Sequence, residues 1–311
     1  MVCTPFEERY AHCYGPRIHV YIWFWFERRR MDYVVPSEVV SDALNAATKK
    51  ASLSARDMLI RGALAGVFLG YATSLVFVAL SQGLPALVGA IIFPVGFVML
   101  VLLGFELATG NFALLPAAVM DQRISGGAMV RNWAWVYAGN LLGSVLYAIL
   151  FYLAITSFGA NNGAALGDQI RQVAERKTVA YAALGMGGWG TAFIKAMLCN
   201  WMVTVGTMLA FASRSTIGKV AVMWLPIATF FAHGYEHSIV NMFLIPAGMF
   251  LGAQVSVTQW WLWNQIPVTL GNVLAGALFT GIALWYTYAG KHQNAARPSE
   301  ARSSVAVAAG D

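Results

Sequence analysis

The sequence predicts an all-α membrane protein: six transmembrane helices in two inverted three-helix repeats, with the second and fifth helices broken. Of its 311 residues, 59% are hydrophobic and only 11% charged, against roughly 25% charged in an ordinary soluble domain. The apolar residues also gather into segments long enough to cross hydrocarbon, which takes about 20 residues of helix. Finally, a thirteen-residue pattern occurs twice, 130 residues apart. Residues 104–116 read G-F-E-L-A-T-G-N-F-A-L-L-P and residues 234–246 read G-Y-E-H-S-I-V-N-M-F-L-I-P. Each copy puts a glutamate inside an apolar stretch. A duplicated polar interruption of a membrane helix marks a solute pathway built from inverted repeats.

Taken in order, Val39, Val40, Ala43, Leu44 and Ala47 recur at helical spacing and predict an amphipathic helix over 36–50, lying at the membrane surface. Lys49, Lys50, Arg56 and Arg61 mark the edge of the first span, 62–80. The second begins near Leu84, passes Pro94, meets the first motif and continues as a short apolar helix to Met120; the third covers 133–157. A polar stretch, 159–177, separates the halves. The fourth span, 182–212, starts Gly-rich; the fifth runs from Val220 through the second motif to Leu251; the sixth covers 266–288. G-N-L-L-G at 139–143 is echoed by G-N-V-L-A-G at 271–276. Three crossings per half is an odd number, so the second half enters the membrane from the opposite side.

The transport domain is thus expected over 35–290, with repeats at about 59–158 and 180–289. Residues 1–34 form an amino-terminal extension and residues 291–311 a disordered polar tail. The aromatic run at 21–26 is too short and too late for a secretory signal. It reads either as an interfacial anchor or as sequence ahead of the native start, with Met31 opening a more ordinary stretch. The net charge of +6 does not point to nucleic acid, because the basic residues sit at the ends of apolar segments, where they act as topology signals. With the amino end inside, the inner flanks carry Arg61, Arg123, Arg131, Arg214 and Lys219 among others, and the outer loops only Arg171, Arg176 and Lys177. Both termini are therefore expected in the cytoplasm of a multi-pass cell-membrane protein. Cys3, Cys13 and Cys199 show no paired spacing, so neither disulfides nor a zinc site is indicated.

A charge at mid-membrane costs roughly 2.5–3.5 kcal/mol, so Glu106, Glu236 and His237 need partners or a purpose. Breaking a helix frees backbone groups that hydrocarbon cannot satisfy, and the two glutamates are expected to accept hydrogen bonds from the freed N–H groups. Asn111 and Asn241 are read as loop clamps. His237 differs, since its repeat counterpart is Leu107; Thr109 differs likewise, facing Ile239. These two asymmetries point to the pathway. An imidazole there can donate a hydrogen bond or a proton to a small weak-acid anion; burial disfavours its charged form and an anion favours it. His233 reads as a packing or vestibule residue. Lys195 is expected to pair with Glu106 or Glu236, or to snorkel. Phe93, Phe97 and Phe230 suit either apolar constrictions or ordinary packing. No nucleotide loop, metal cluster or nucleophile triad occurs, so no cofactor, metal or enzymatic activity is expected.

The first loop E-L-A-T-G-N (106–111), the second loop G-Y-E-H-S-I-V-N-M-F (234–243), L-C-N-W (198–201) and I-P-V-T-L-G-N (266–272) together resemble the formate/nitrite transporter family. The resemblance implies an aquaporin-like protomer, a homopentamer, and passage of nitrite, formate or their acids, coupled to protons, between two apolar constrictions. Bicarbonate, lactate or another small anion is the alternative substrate, and a neutral solute a more distant one. The resemblance makes His237 the central histidine, Thr109 the first-loop hydroxyl, Asn272 a polar neighbour in the pathway and Asn200 a loop stabiliser. Phe93 and Phe97 fall at one constriction and Phe230 at the other. Many members carry a vestibule lysine about sixteen residues before the asparagine matched by Asn200; counting back reaches Leu184, and Lys177 lies seven residues too early. A membrane-embedded enzyme, a passive scaffold and a water or glycerol channel are the rival classes, the last of which would normally show the paired N-P-A loops this sequence lacks.

Overall fold

The computed structural model describes residues 32–289. The amino-terminal aromatic run and the polar tail lie outside the described residues. Helices α1 (Pro36–Ala51) and α2 (Ala55–Ser81) are followed by α3 (Ala86–Leu102), interrupted at Phe93 ahead of Pro94, and α4 (Ala108–Met120). Then come α5 (Gly126–Ile155), α6 (Ala164–Arg176), α7 (Val179–Ala183), α8 (Met186–Leu209), α9 (Thr216–Ala232), α10 (Ser238–Phe250) and α11 (Val257–Ala289). Helices α2, α5, α8 and α11 are each long and apolar enough to cross a membrane alone. The other two crossings are each made of two half-length helices, α3 with α4 and α9 with α10.

The breaks are alike. Gly104 and Gly234 hold φ of 68° and 64°, a left-handed conformation that ends the first half-helix and that an L side chain would resist. Leu107 and His237 then take the same extended geometry, φ −113° with ψ 119° and 118°, and start the second half-helix. Residues 108–118 and 238–248 are buried all round, so α4 and α10 form the centre of the bundle. Long helices close around them by small-residue contacts. A side chain at Gly143 of α5 would collide with the Ala63 backbone of α2, and one at Gly271 of α11 with the Phe193 backbone of α8. Close approach of this kind supplies the dispersion contact that membrane helices rely on when lipid is as apolar as the side chains.

Several expected boundaries move. Helix α5 starts at Gly126, not near 133, because Ser125 caps it through the Ala128 N–H. Helix α11 starts at Val257, not near 266, behind a Ser256–Gln259 capping box. Its polar first turns pack inward, helped by a π-helical stretch (Trp261–Gln265) that buries the consecutive residues Asn264 and Gln265. The polar divider at 159–177 contains a helix, α6, whose Gly167, Ile170 and Ala174 face the protein. The fourth span is split by Gly185 into α7 and α8. The apolar stripe of α1 is covered by Leu114, Leu115 and Ala118 of α4, so it rests on protein where the sequence suggested lipid.

Helix α1 is also latched at its start. The Asp32 carboxylate accepts from the Ser213 hydroxyl at 2.6 Å and from the Arg214 and Ser215 N–H groups, and the Arg214 guanidinium reaches Asp42 at 2.7 Å. The Ser213 hydrogen bond, with those from the Ser215 backbone, holds the Asp32 carboxyl below its ordinary value of 3.8. A carboxylate lowered in the folded state contributes stability that is complete above its unfolded value and disappears as pH falls through the folded one. Asp32→Asn is therefore expected to lower the melting temperature slightly at pH 7. The gap from wild type should close as pH is taken below 3.8, and a gap that persists in acid would show that charge is not what holds the latch.

Candidate functional site

Each loop is held by the same set of groups. In the first half the Asn140 amide oxygen accepts from the Ala108 N–H at 3.0 Å, and its nitrogen donates to the carbonyls of Gly62 and Glu106 at 2.8 and 2.9 Å. In the second half the Asn272 oxygen accepts from the Ser238 N–H at 2.9 Å, and its nitrogen donates to the carbonyls of Ala196 and Glu236 at 2.8 and 3.1 Å. A single asparagine thus satisfies both the donor and the acceptor that the break exposes. Asn272 was expected in the pathway. Its amide is instead fully engaged with backbone, as is that of its repeat mate.

The glutamates do not take the freed N–H groups. The Lys50 ammonium lies 2.7 Å from Glu106 and the Lys177 ammonium 2.8 Å from Glu236. Asn111 donates to Glu106 at 2.9 Å and to Asn132, whose own amide nitrogen returns to the Lys50 carbonyl. Asn241 repeats this with Glu236 at 2.8 Å, Asn264 and the Lys177 carbonyl. Tyr181 adds a hydrogen bond to Glu236 at 2.8 Å without a first-half equivalent. Carboxylates this deep are tolerated only when a cation and further donors surround them. Lys195, expected either to pair with one of the glutamates or to snorkel, pairs with neither carboxylate and lies over the Tyr181 ring, 5.9 Å from its centroid. Asn200 bridges the halves, donating to the carbonyls of Thr109 and Asn272 at 3.2 and 2.6 Å.

The two residues singled out by asymmetry meet. Thr109 Oγ1 and His237 Nε2 are 3.1 Å apart, with Thr109 inaccessible and His237 only 3% exposed. The His237 Nδ1 accepts from the Val240 N–H at 3.2 Å and so caps α10. That bond fixes the neutral ring with its proton on Nε2, which then donates to Thr109.

A cavity of about 510 Å³ reaches His237 from the second-loop side, lined by Lys177, Tyr181, Lys195, Phe230, His237 and Val240 among others. On the first-loop side a cavity of about 240 Å³ is lined by Lys50, Phe97, Leu100, Leu107, Gly110 and Lys219 among others. Phe230 stacks on His237 with centroids 5.8 Å apart. Phe93, expected with Phe97 at one constriction, packs against Phe230 at 5.7 Å and stacks on Phe231 at 4.0 Å. His233 lies beyond the end of α9, donating to the Thr229 carbonyl and stacking on Tyr235. The break removes the helical register that would have set it beside His237, and no group of three His, Cys, Asp or Glu converges among the described residues.

Residues 37–286 match the family model described as Formate/nitrite transporter. The chain belongs to the formate/nitrite transporter family. It is therefore a multi-pass membrane transporter of the formate and nitrite class of anions, not an enzyme. It is 40% identical over 213 residues to a probable formate transporter of Methanothermobacter thermautotrophicus, covering 66% of this chain and 76% of that one. It is 30% identical over 285 residues to the formate channel FocA of Escherichia coli, covering 83% and 95%. Among solved structures it resembles an FNT family ion channel at a TM-score of 0.71 and 29% identity, covering 80% of this chain and 98% of that one. It also resembles a pentameric formate channel with formate bound, at 0.62 and 28%, covering 75% and 97%.

Against this family the apparent departure at Leu184 has a structural explanation. Leu184 is 66% exposed and plays no part in the site. The segment formed by α7 and the Gly185 break lets Lys177, at the end of α6, reach the cavity from seven residues earlier in the chain. Sequence reasoning also missed Asn132 and Asn264. Their signal was present: each stands eight residues ahead of the asparagine of the repeated G-N pair, Asn140 or Asn272.

Proposed function

We propose that each protomer of a homopentamer carries formate or nitrite across the cell membrane with a proton, with both termini in the cytoplasm. The observation that carries the reading is the Thr109–His237 contact buried between two cavities, each bearing lysines at its side and apolar residues at its depth. An anion leaving a cavity for the space between Phe230 and Phe97 loses hydration, which favours its neutral acid form. The His237 N–H and the Thr109 hydroxyl then offer a polar contact to the acid in transit. On the far side water restores the anion and takes the proton. The net movement is electroneutral.

Full-length protein in liposomes, given labelled formate or nitrite with acid outside, is expected to accumulate the anion while the pH gradient lasts and to release it when a protonophore is added. No flux above empty liposomes would overturn the transport reading. Flux that follows membrane potential and ignores the pH gradient would overturn the proton coupling alone.

A further inference from the structure

We propose that the groove between α5 and α11 binds the hydrocarbon chain of a membrane lipid, and that the chain seated there supports the start of α4 from behind. Where α2 meets α5 and α8 meets α11, glycines let the helices close. Gly139 and Gly143 of α5 face α2, and Gly271, Gly276 and Gly281 of α11 face α8 and α4. Between α5 and α11 themselves stand bulky side chains, Trp133 and Tyr137 on one and Trp261, Ile266 and Leu270 on the other. They hold open a groove of about 410 Å³. Its floor is Phe112 of α4, which is only 2% exposed.

The depth of the groove follows from the repeat. Tyr137 and Thr269 each stand two residues ahead of the glycine of the repeated G-N pair, so they are counterparts in the two halves. Their hydroxyls meet at 2.7 Å. Counterparts touch only on the axis that relates the halves, and for inverted repeats that axis lies in the membrane plane. The groove therefore opens near the middle of the bilayer, where lipid tails are the surrounding medium. Among the described residues no charged side chain lines it. The Gln265 amide nitrogen donates to the Tyr137 hydroxyl at 2.6 Å and its oxygen accepts from the Trp260 indole at 3.1 Å. A polar ligand would find these groups already engaged, and a headgroup or ion would lie uncompensated. Only an apolar guest suits the lining. Two turns of a helix about 10 Å across take up roughly 850 Å³, so a helix of a second copy does not enter, whereas a flexible chain does. Seated against Phe112, the chain supplies the dispersion contacts that the wedged helices cannot make with each other.

The floor and one wall of the groove connect to the first loop. Phe112 and Trp133 pack edge to face with centroids 5.2 Å apart. The Trp133 indole N–H donates to the Asn111 carbonyl at 3.2 Å, and the Asn111 amide in turn donates to Glu106. Thr109 lies three residues before Phe112 on the same helix. A chain in the groove thus backs the helix that presents Thr109 to His237. Its binding does not depend on which solute crosses, so it can be read without flux.

Full-length protein can be reconstituted in bilayers containing a phosphatidylcholine with a diazirine near the methyl end of one chain, photolysed, and mapped by mass spectrometry. Label is expected on residues 130–137 and 261–273 at about fivefold or more over Leu146 and Leu150, which are exposed on α5 but form no part of the groove. Ala134 is a small, exposed residue of the wall. Ala134→Phe should fill the groove from within and cut its label about fivefold, leaving the label at Leu146 and Leu150 unchanged. Ala134→Leu should give an intermediate loss, and it carries the test if the larger ring prevents folding. The same chains on a phosphatidylglycerol headgroup should label alike. In detergent, delipidated wild type should melt several degrees lower and recover when phosphatidylcholine is added back, while Ala134→Phe should gain little from lipid. Even labelling along α5 would overturn the proposal, as would groove label that both Ala134 variants leave intact. Label that follows the headgroup would overturn it in favour of a headgroup site, and groove residues cross-linked to a second copy in place of lipid would overturn it in favour of a protomer contact. Equal recovery of Ala134→Phe and wild type on adding lipid would overturn the support of α4.

Discussion

His237→Phe is expected to cut anion flux at least tenfold, while the protein still folds. The substitution removes two bonds together, the one to Thr109 and the cap on the Val240 N–H. Losing the cap should cost about 0.5–2 kcal/mol, which a transmembrane bundle survives, so the flux defect would exceed any folding defect. His237→Asn separates the two roles. Asparagine is a good cap but does not bring a ring N–H to Thr109, so melting should return toward wild type while flux stays low. Thr109→Val tests the other end of the contact. It leaves the ring N–H unpartnered and should impair flux without loosening the cap. Proteoliposome uptake across a pH series reads all three. Flux unchanged in His237→Phe would remove this side chain from the mechanism.

Asn140→Leu should be the most destabilising single change in the first half. Leucine matches the volume but leaves the Ala108 N–H and the Gly62 and Glu106 carbonyls without partners. Buried groups stranded in this way cost about 1–3 kcal/mol each, a large part of the about 5–15 kcal/mol that holds a typical domain together. The expected result is little or no folded protein in detergent, and Asn272→Leu should behave alike because its bonds match one for one. Asn140→Asp retains the acceptor and loses both donations, so it should fall between. Size-exclusion elution and thermal melting measure the effect; wild-type stability in Asn140→Leu would mean that water or neighbouring groups satisfy the loop.

Much of this protein was legible in its sequence because hydrophobic length and repetition are one-dimensional properties. The apolar segments fixed the number of crossings, and the duplicated motif fixed where two of them break, since a glutamate and a left-handed glycine cannot sit mid-helix at random. The asymmetry test was equally local: comparing Leu107 with His237 and Thr109 with Ile239 needed only an offset. Helix starts were read less well, at α5 and α11, because serine caps and inward-facing polar turns do not raise hydropathy. Partners were read worst. Lys50 looked like a topology charge and Lys177 like a loop residue, because pairing with a glutamate more than 50 positions away leaves no mark on either neighbourhood.

The chain alone, then, determined an inverted, six-crossing transporter with two broken helices and a lone imidazole at one break. Three matters were decided only in three dimensions. The asparagines, not the glutamates, heal the broken backbone, because an amide can donate and accept at once and a carboxylate cannot. Phe93 packs edge-on against Phe230, a contact between helices α3 and α9 that only the fold brings about. And Lys50 and Lys177 find their partners in buried carboxylates more than fifty positions away, because the fold closes distances that no sequence states.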